Sequence, residues 1–481
     1  MITAAEILFW IFLFTIFYSY AGYGILIILI SKVPFLLKLI PKPYNYVKSE
    51  KVVPADQEYF PQITFIISAS GETKQIIKEK IENTQALIYP REKLEVIFAI
   101  AYDTANEVDE TIHEFYENFL VQPLMENTTS KDEEIYLKFS KYENNEGKNR
   151  DINVLDEIER HLEGESFTSE EISLEGKKII DNFAQSVSSK DELTITITKD
   201  IERKGKISQV NRTVEKANGE IIVFSDANSF FNKEALINLS KHFADKQVGC
   251  VAGEKRVKKS AGSTSGEGEG LYWKYESLLK KTDSKLWTCV GAAGEIFAIR
   301  KSLWGDGVEK NTLIEDFVVS MKVAEKGFRV VYEPDAYAEE EPTVNMKEEY
   351  IRRRRIAAGG FQAIGILKSL FNIFKYRILS FQYISHRVLR WAVVPFIIPL
   401  ALILNILLLK NGFSYIYFLT LLVQVSFYIF ALLGYILESK GKKIKIFNIP
   451  YVLFVMNYSA YVGLKRYLRG EQKVIWERAK R

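Results

Sequence analysis

The sequence predicts an α/β domain with a mixed, mostly parallel sheet of nucleotide-binding type, set between transmembrane helices near both ends of the chain. Three observations carry this. The β-branched and aromatic run Ile221-Ile222-Val223-Phe224 stops at Ser225-Asp226-Ala227-Asn228. Such a run fits a buried parallel strand that delivers an acid to the carboxyl edge of its sheet, where open α/β sheets bind ligands. A strand, helix and strand follow one another between Pro61 and Asp103. Finally, the stretch from Ile7 to Ile30 carries no charge and exceeds the roughly 20 residues that cross a bilayer.

In the first βαβ unit, Ile63-Thr64-Phe65-Ile66-Ile67-Ser68 is the strand, Ser70-Gly71-Glu72-Thr73 the turn, and a helical pattern runs to about Leu87 before Tyr89-Pro90. Leu94 to Ile100 is the next strand, and it runs into Ala101-Tyr102-Asp103. Asp103 therefore stands at a second strand end, where a turn aspartate and a ligand-binding one are both reasonable. Asp226 by itself carries the same ambiguity, because Asp and Asn close turns everywhere. From 126 to 192 acidic residues predominate and strong strand patterns are lacking, so this stretch is expected to be an insertion outside the core sheet, with helices at Asp151 to Leu162 and Glu170 to Phe183.

The main fold resumes with Leu193 to Ile197, an alternating strand, then Lys204-Gly205-Lys206 and a helix from Ser208 to Ala217 that Asn218-Gly219 ends. Gly291-Ala292-Ala293-Gly294 precedes a strand at Ile296 to Ile299. Leu313-Ile314-Glu315-Asp316 leads into a helix from about Phe317 to Lys326, and Phe328 to Tyr332 is a further strand. The helix from about Met346 carries Arg352-Arg353-Arg354-Arg355, of which at least two are expected to face solvent or lipid phosphate.

The 481 residues exceed one ordinary core, and the net charge of +3 excludes a nucleic-acid surface as the main partner. Cys250 and Cys289 have neither metal-ligand spacing nor a disulfide framework and read as buried residues of a reducing compartment. Three further spans are expected at Trp391 to Leu409, Phe413 to Leu437 and Phe447 to Leu464. Lys32, Lys38, Lys42 and Lys48 follow the first span and nothing basic precedes it, so the central domain belongs in the cytoplasm of a multi-pass inner-membrane protein. Four spans would leave the basic tail, from Lys465 to Arg481, on the side that the charge rule disfavours. The expected organisation is an N-terminal span and linker over 1–45, a central domain over 46–360, interface helices over 361–390 that touch membrane lipid, three spans over 391–466 and a basic tail over 467–481.

In this order the motifs resemble those of the membrane-integrated family 2 glycosyltransferases, the inverting group of cellulose, chitin, hyaluronan and poly-N-acetylglucosamine synthases. The resemblance rests on the Ile63 strand with Glu72, Ala101-Tyr102-Asp103, Gly205-Lys206 with Asn211, Ser225-Asp226-Ala227-Asn228, Gly291 to Arg300, Ile314-Glu315-Asp316, Tyr332-Glu333-Pro334-Asp335-Ala336, and Arg352 to Gly360. It implies a GT-A type domain that moves a sugar from a UDP-sugar to a glycan acceptor in a β-linkage, as in surface polysaccharide synthesis.

By this resemblance Glu72, Asp103 and Lys206 hold the uridine part of the donor, and Asp226 contacts ribose and a Mg2+ or Mn2+ ion. Asn228 stands where the family has a second metal-binding Asp, and its amide oxygen can coordinate a hard cation without adding charge. Asp316 is the implied general base with Glu315 beside it. Arg355 meets the diphosphate, and Arg352 occupies the place of a donor-side glutamine. Ile356 replaces the tryptophan against which an acceptor sugar stacks in the processive enzymes. That departure favours an alternative, transfer of one sugar to a lipid-linked acceptor, and Asn228 keeps open a membrane-bound nucleotide-sugar sensor without turnover. Product export through so few spans would call for partner proteins.

Overall fold

In the computed structural model of the protein, the described residues are 2–54, 58–69, 72–100, 119–124, 136–141, 195–199, 206–258, 265–305, 307–341, 346–412, 414–442 and 444–470. Asp103, Gly205, the two helices expected in the insertion and the tail beyond 470 lie outside them.

The chain opens with α1, built from Ile2–Phe17, a π-helical turn Tyr18–Gly22, and Tyr23–Ser31. Strand β1 (Ile63–Ala69) leads to α2 (Lys74–Gln85), whose first turn is capped by the Thr73 hydroxyl accepting from the Ile76 amide at 3.4 Å. Strands β2 (Leu94–Ile100), β3 (Phe119–Leu124), β4 (Tyr136–Lys141) and β5 (Ile195–Lys199) precede α3 (Lys206–Lys216) and β6 (Ile221–Asp226). Then follow β7 (Phe230–Phe231), β8 (Val248–Val257), α4 (Ser265–Leu286), β9 (Phe297–Arg300), α5 (Glu315–Glu325), β10 (Arg329–Glu340) and α6 (Met346–Ile366).

Ten strands form one sheet in the order β3-β4-β5-β2-β1-β6-β9-β8-β10-β7. Strands β5, β2, β1 and β6 run parallel, β9 is antiparallel to both neighbours, and β8 and β10 are again parallel. The mixed, mostly parallel sheet expected from the sequence is therefore the observed one. Its period-2 geometry sorts each strand between two cores. Ile63, Phe65 and Ile67 of β1 and Ile221 and Val223 of β6 enter one core, while Ile66, Ile222 and Phe224 enter the other with Tyr23, Ile27, Tyr383 and Val388. One face of the sheet thus shares its core with the apolar helices of both chain ends. Cys250 and Cys289 are free and buried in that same core, as expected.

The acidic stretch corrects one expectation. Tyr136–Lys141, inside 126–192, belongs to the sheet and pairs antiparallel with both β3 and β5. Its Leu137-Lys138-Phe139-Ser140 alternation is a strand pattern that the surrounding charge obscures. Helix α4 also escapes a reading of the sequence, because Gly266, Gly268 and Gly270 alternate at its start and read as loop.

Among the described residues, three helices are long and apolar enough to cross a membrane: Ala4–Ser31 of α1, α7 (Ile378–Asn411, π-helical over Ile384–Val393) and α8 (Tyr415–Ser439). The fourth expected segment lies in α9 (Lys445–Arg469), which carries Lys465, Arg466 and Arg469 and is not among those three. α9 crosses α8 closely at Gly434, and it packs along α6 where Tyr458 stacks on Tyr350 at 6.4 Å. A Cβ on Gly463 would stand 2.7 Å from the Ala357 Cβ, so only glycine permits this helix contact. Gly463→Leu is expected to destabilise the protein by about 1–3 kcal/mol through overpacking. Gly412→Ala, with nothing within 4 Å, should leave a detergent thermal-unfolding midpoint unchanged.

Candidate functional site

The site lies at the carboxyl edge of the parallel strands. Ser68 at the end of β1 pairs in register with Asp226 at the end of β6, and the Ala227 amide donates to the Ser68 carbonyl at 2.9 Å. The chain then turns, with the Ser229 amide donating to the Asp226 carbonyl at 3.1 Å, and presents a half-buried Asp226 and Asn228. Glu72, just past β1, is buried. The strand does end in a turn at Asp226, closed by backbone hydrogen bonds, while the Asp226 carboxylate faces Lys206.

Glu315 and Asp316 form the first turn of α5, where the helix dipole favours negative charge. Lys206, the first residue of α3, joins the two acidic elements: its Nζ is 2.7 Å from Asp226 Oδ1 and 3.2 Å from Glu315 Oε1. Although burial opposes it, these carboxylates hold the ammonium charged and raise its pKa above the ordinary range. Asp316 is driven the other way. Burial first, then the charges of Glu315 and Glu295, push its carboxyl up to about 7. Gly294 lies against it, since a Cβ there would be 3.4 Å from Asp316 Oδ2.

α6 brings in the arginines. Burial and then Arg352 lower the pKa of Arg355, while the carboxylates of Glu315, Asp226 and Asp316 act on it in the opposite sense, so Arg355 sits in the field of all three. Arg352 lies 3.6 Å from both Glu295 and Glu349, and Arg353 Nε is 2.7 Å from Glu349. The arginine run is more enclosed than its sequence implies. The side chains of Arg352 and Arg353 keep only 11% and 12% of their exposure, because Glu349 one turn earlier supplies the counter-charge that burial requires.

Asn211 has a different place. It pins the 304–308 loop, accepting from the Val308 amide at 3.0 Å and donating to the Val308 carbonyl at 2.8 Å. Asp226, Glu315, Asp316, Lys206 and Arg355 are brought together, and Arg352, which faces Glu295, acts on Arg355.

A buried chain of charges lies beneath. Lys80 of α2 donates to Ser225 Oγ at 2.8 Å and to the Ser229 carbonyl, directly under the Asp226 turn. The Ser229 hydroxyl donates to Glu340 at 2.5 Å, Glu340 pairs with Lys255 at 2.5 Å, and Lys255 pairs with Glu295. Sequence reasoning missed these residues, yet periodicity could have found them. Lys80 shares a helix face with Ile77 and Thr84, and Glu340 continues the inward alternation of Ala336 and Ala338.

Residues 211–432 match the family model described as "Glycosyl transferase family group 2". No curated protein matches the chain. Among solved structures, the mannosyltransferase PcManGT from Pyrobaculum calidifontis, in complex with GDP-Man and Mn2+, is similar over 96% of this chain and 99% of that one, with a TM-score of 0.59 and 18% identity. GalNAc-T7 with UDP, GalNAc and Mn2+ aligns over 59% of this chain and 44% of that one at a TM-score of 0.33 and 13% identity. The fold is GT-A-like, and the family match over residues 211–432 supports a glycosyltransferase.

Burial pushes the Lys80 ammonium down to about 7, against Asp226 and Glu340. The unfolded chain therefore binds one more proton than the native chain between about pH 7 and the ordinary lysine range, and stability should rise with pH across that window. Lys80→Met should remove this slope, as read from thermal-unfolding midpoints of both proteins between pH 7 and 10.

Proposed function

We propose that the protein transfers a sugar from a nucleoside diphosphate sugar to an acceptor hydroxyl in one inverting displacement, at the cytoplasmic face of an inner membrane. The convergence of Asp226, Asp316 and Arg355 on one sheet edge supports this reading. Asp316, near neutral in pKa and half-buried, takes the proton of the acceptor hydroxyl as that oxygen attacks the anomeric carbon. The bond to the diphosphate breaks on the opposite face, and Arg355 and Lys206 offset the charge that develops there.

Among the described residues no group of three or more His, Cys, Asp or Glu could cage a metal. One carboxylate and one amide fit a cation held chiefly by diphosphate oxygens and water, which is the habit of Mg2+. Asp226 and Asn228 would hold such a Mg2+ or Mn2+ ion, and it would supply Lewis acidity to the leaving diphosphate. Glu72 and Asp103 are assigned to the nucleotide, uridine by our sequence expectation. Guanosine is the competing base, since the Pyrobaculum enzyme carries GDP-Man.

A lipid-linked acceptor is favoured over a long polymer. Ile356 offers no aromatic platform, and α6 rests directly on α7 through Gly360 against Trp391 and Phe361 against Phe396. Three spans, with α9 lying on the catalytic side, also return Lys465, Arg466 and Arg469 to the side of the central domain, in keeping with the charge rule.

Purified protein incubated with Mn2+ and a panel of UDP- and GDP-sugars, with and without lipid-linked acceptors, tests this by mass analysis of products; binding of every donor without transfer would overturn it. Asp316→Asn should lower kcat by about 10²–10⁴-fold while sparing nucleotide binding. Asp226→Ala should lose both. Because Asp316 must be ionised to accept a proton, kcat/KM should fall as pH drops through about 7, and Asp316→Asn should erase this limb from its residual rate.

A further inference from the structure

Arg387 lies in the π-helical part of α7, almost wholly buried, where the membrane segment meets the catalytic domain. Its Nε and Nη2 donate to the Val290 carbonyl at 3.2 and 3.0 Å, and Nη2 also pairs with Glu276 at 2.5 Å. The guanidinium centre stands 5.7 Å from the ring of Phe317 and 5.6 Å from that of Trp391, and those two rings are 5.0 Å apart. The contacts with Val290 and Phe317 lead to Asp316. Phe317 is the next residue in the chain. Val290 precedes Gly291, which takes φ +91° so that the Phe317 ring can lie where a Cβ would be, 2.2 Å from the ring carbon. One residue on, the Ala292 amide donates to Ser320 Oγ at 2.9 Å, and that hydroxyl donates to the Asp316 carbonyl at 2.8 Å.

Arg387 is itself held on all sides. Glu276 of α4 accepts from Arg390 at 3.1 Å and faces His386 at 3.3 Å. His386 is bonded to Asp283 at 2.5 Å, and Asp283 accepts from Gln382 at 3.2 Å and from Tyr23 of α1. The arginine therefore cannot shift without disturbing two membrane helices and α4 together.

We propose that Arg387 is a positioning residue for transfer: through Val290 and Phe317 it sets the first turn of α5 and hence the direction of the Asp316 carboxylate, so that the reaction depends on the membrane segment. This rests on Asp316 being the base. Arg387→Lys retains the charge facing Glu276 but cannot reach the Val290 carbonyl with two N–H groups while lying flat on Phe317.

In the full chain reconstituted in nanodiscs, Arg387→Lys should lower kcat by about 10²-fold, the scale of a small misplacement of a reacting group, with the donor KM and the affinity for Mn2+ with UDP or GDP kept within about twofold. Phe317→Leu should produce the same split. In the Asp316→Asn background Arg387→Lys should cost nothing more, since the carboxylate it directs is gone. A native kcat for Arg387→Lys beside an inactive Asp316→Asn overturns this inference alone, as does an equal loss of turnover and nucleotide binding. Native turnover of Asp316→Asn overturns the base assignment and this inference with it.

Discussion

Four carboxylates, Asp226, Glu295, Glu315 and Asp316, stand within one electrostatic cluster, and like charges at such range tolerate each other only when cations lie between them. Lys206 links Asp226 to Glu315, Lys255 and Arg352 hold Glu295, and Arg355 stands in the field of the other three. The cations come from α3, β8 and α6, so the cluster exists only when these elements are packed together. On Asp316 burial acts most strongly, with the charges of Glu315 and Glu295 adding to it. Burial and those like charges make it the carboxyl that resists ionisation, near neutrality, as the proposed role of proton acceptor requires.

Much of this was legible in the sequence wherever a local pattern had one physical cause. Ile221 to Phe224 ends in Asp226 because a parallel strand needs apolar residues on both faces and polar ones where it surfaces. β1 and β2 were as clear, and so were α1 and α8, which must be apolar along their whole length. The misses have causes too. β4 is a short strand in an acidic neighbourhood, and α4 begins with alternating glycines. Lys80, Lys255 and Glu340 are charges on inward faces, and their partners are distant in sequence: 80 meets 225 and 229, and 255 meets 295 and 340. No window along the chain contains such pairs. The convergence of Asp226, Asp316 and Arg355 came from family resemblance, not from spacing.

The membrane part is tied to this site by polar groups as well as by apolar ones. Both α1 and α7 widen to π-helical winding where they face each other, and Tyr18 and Ser385 are hydrogen-bonded there at 2.9 Å. Below that contact lie Tyr23, Asp283, His386, Glu276, Arg387 and Arg390, every one buried or nearly so. Replacing one partner of such a cluster leaves an uncompensated charge, which makes the joint intolerant of sliding. α9 closes the other side through small residues, Gly463 on Ala357 and Ala358.

The buried cluster also imposes an order on how the protein is made. Tyr23 leaves the ribosome early, Glu276 and Asp283 midway, and His386, Arg387 and Arg390 only after the catalytic sheet is complete. Until that last stretch emerges, Glu276 and Asp283 of α4 lack the His386, Arg387 and Arg390 groups that face them in the finished protein, and a carboxylate without such partners is better hydrated than buried. A chain truncated before residue 386 would therefore leave both carboxylates of this seam without the basic partners that α7 brings to them.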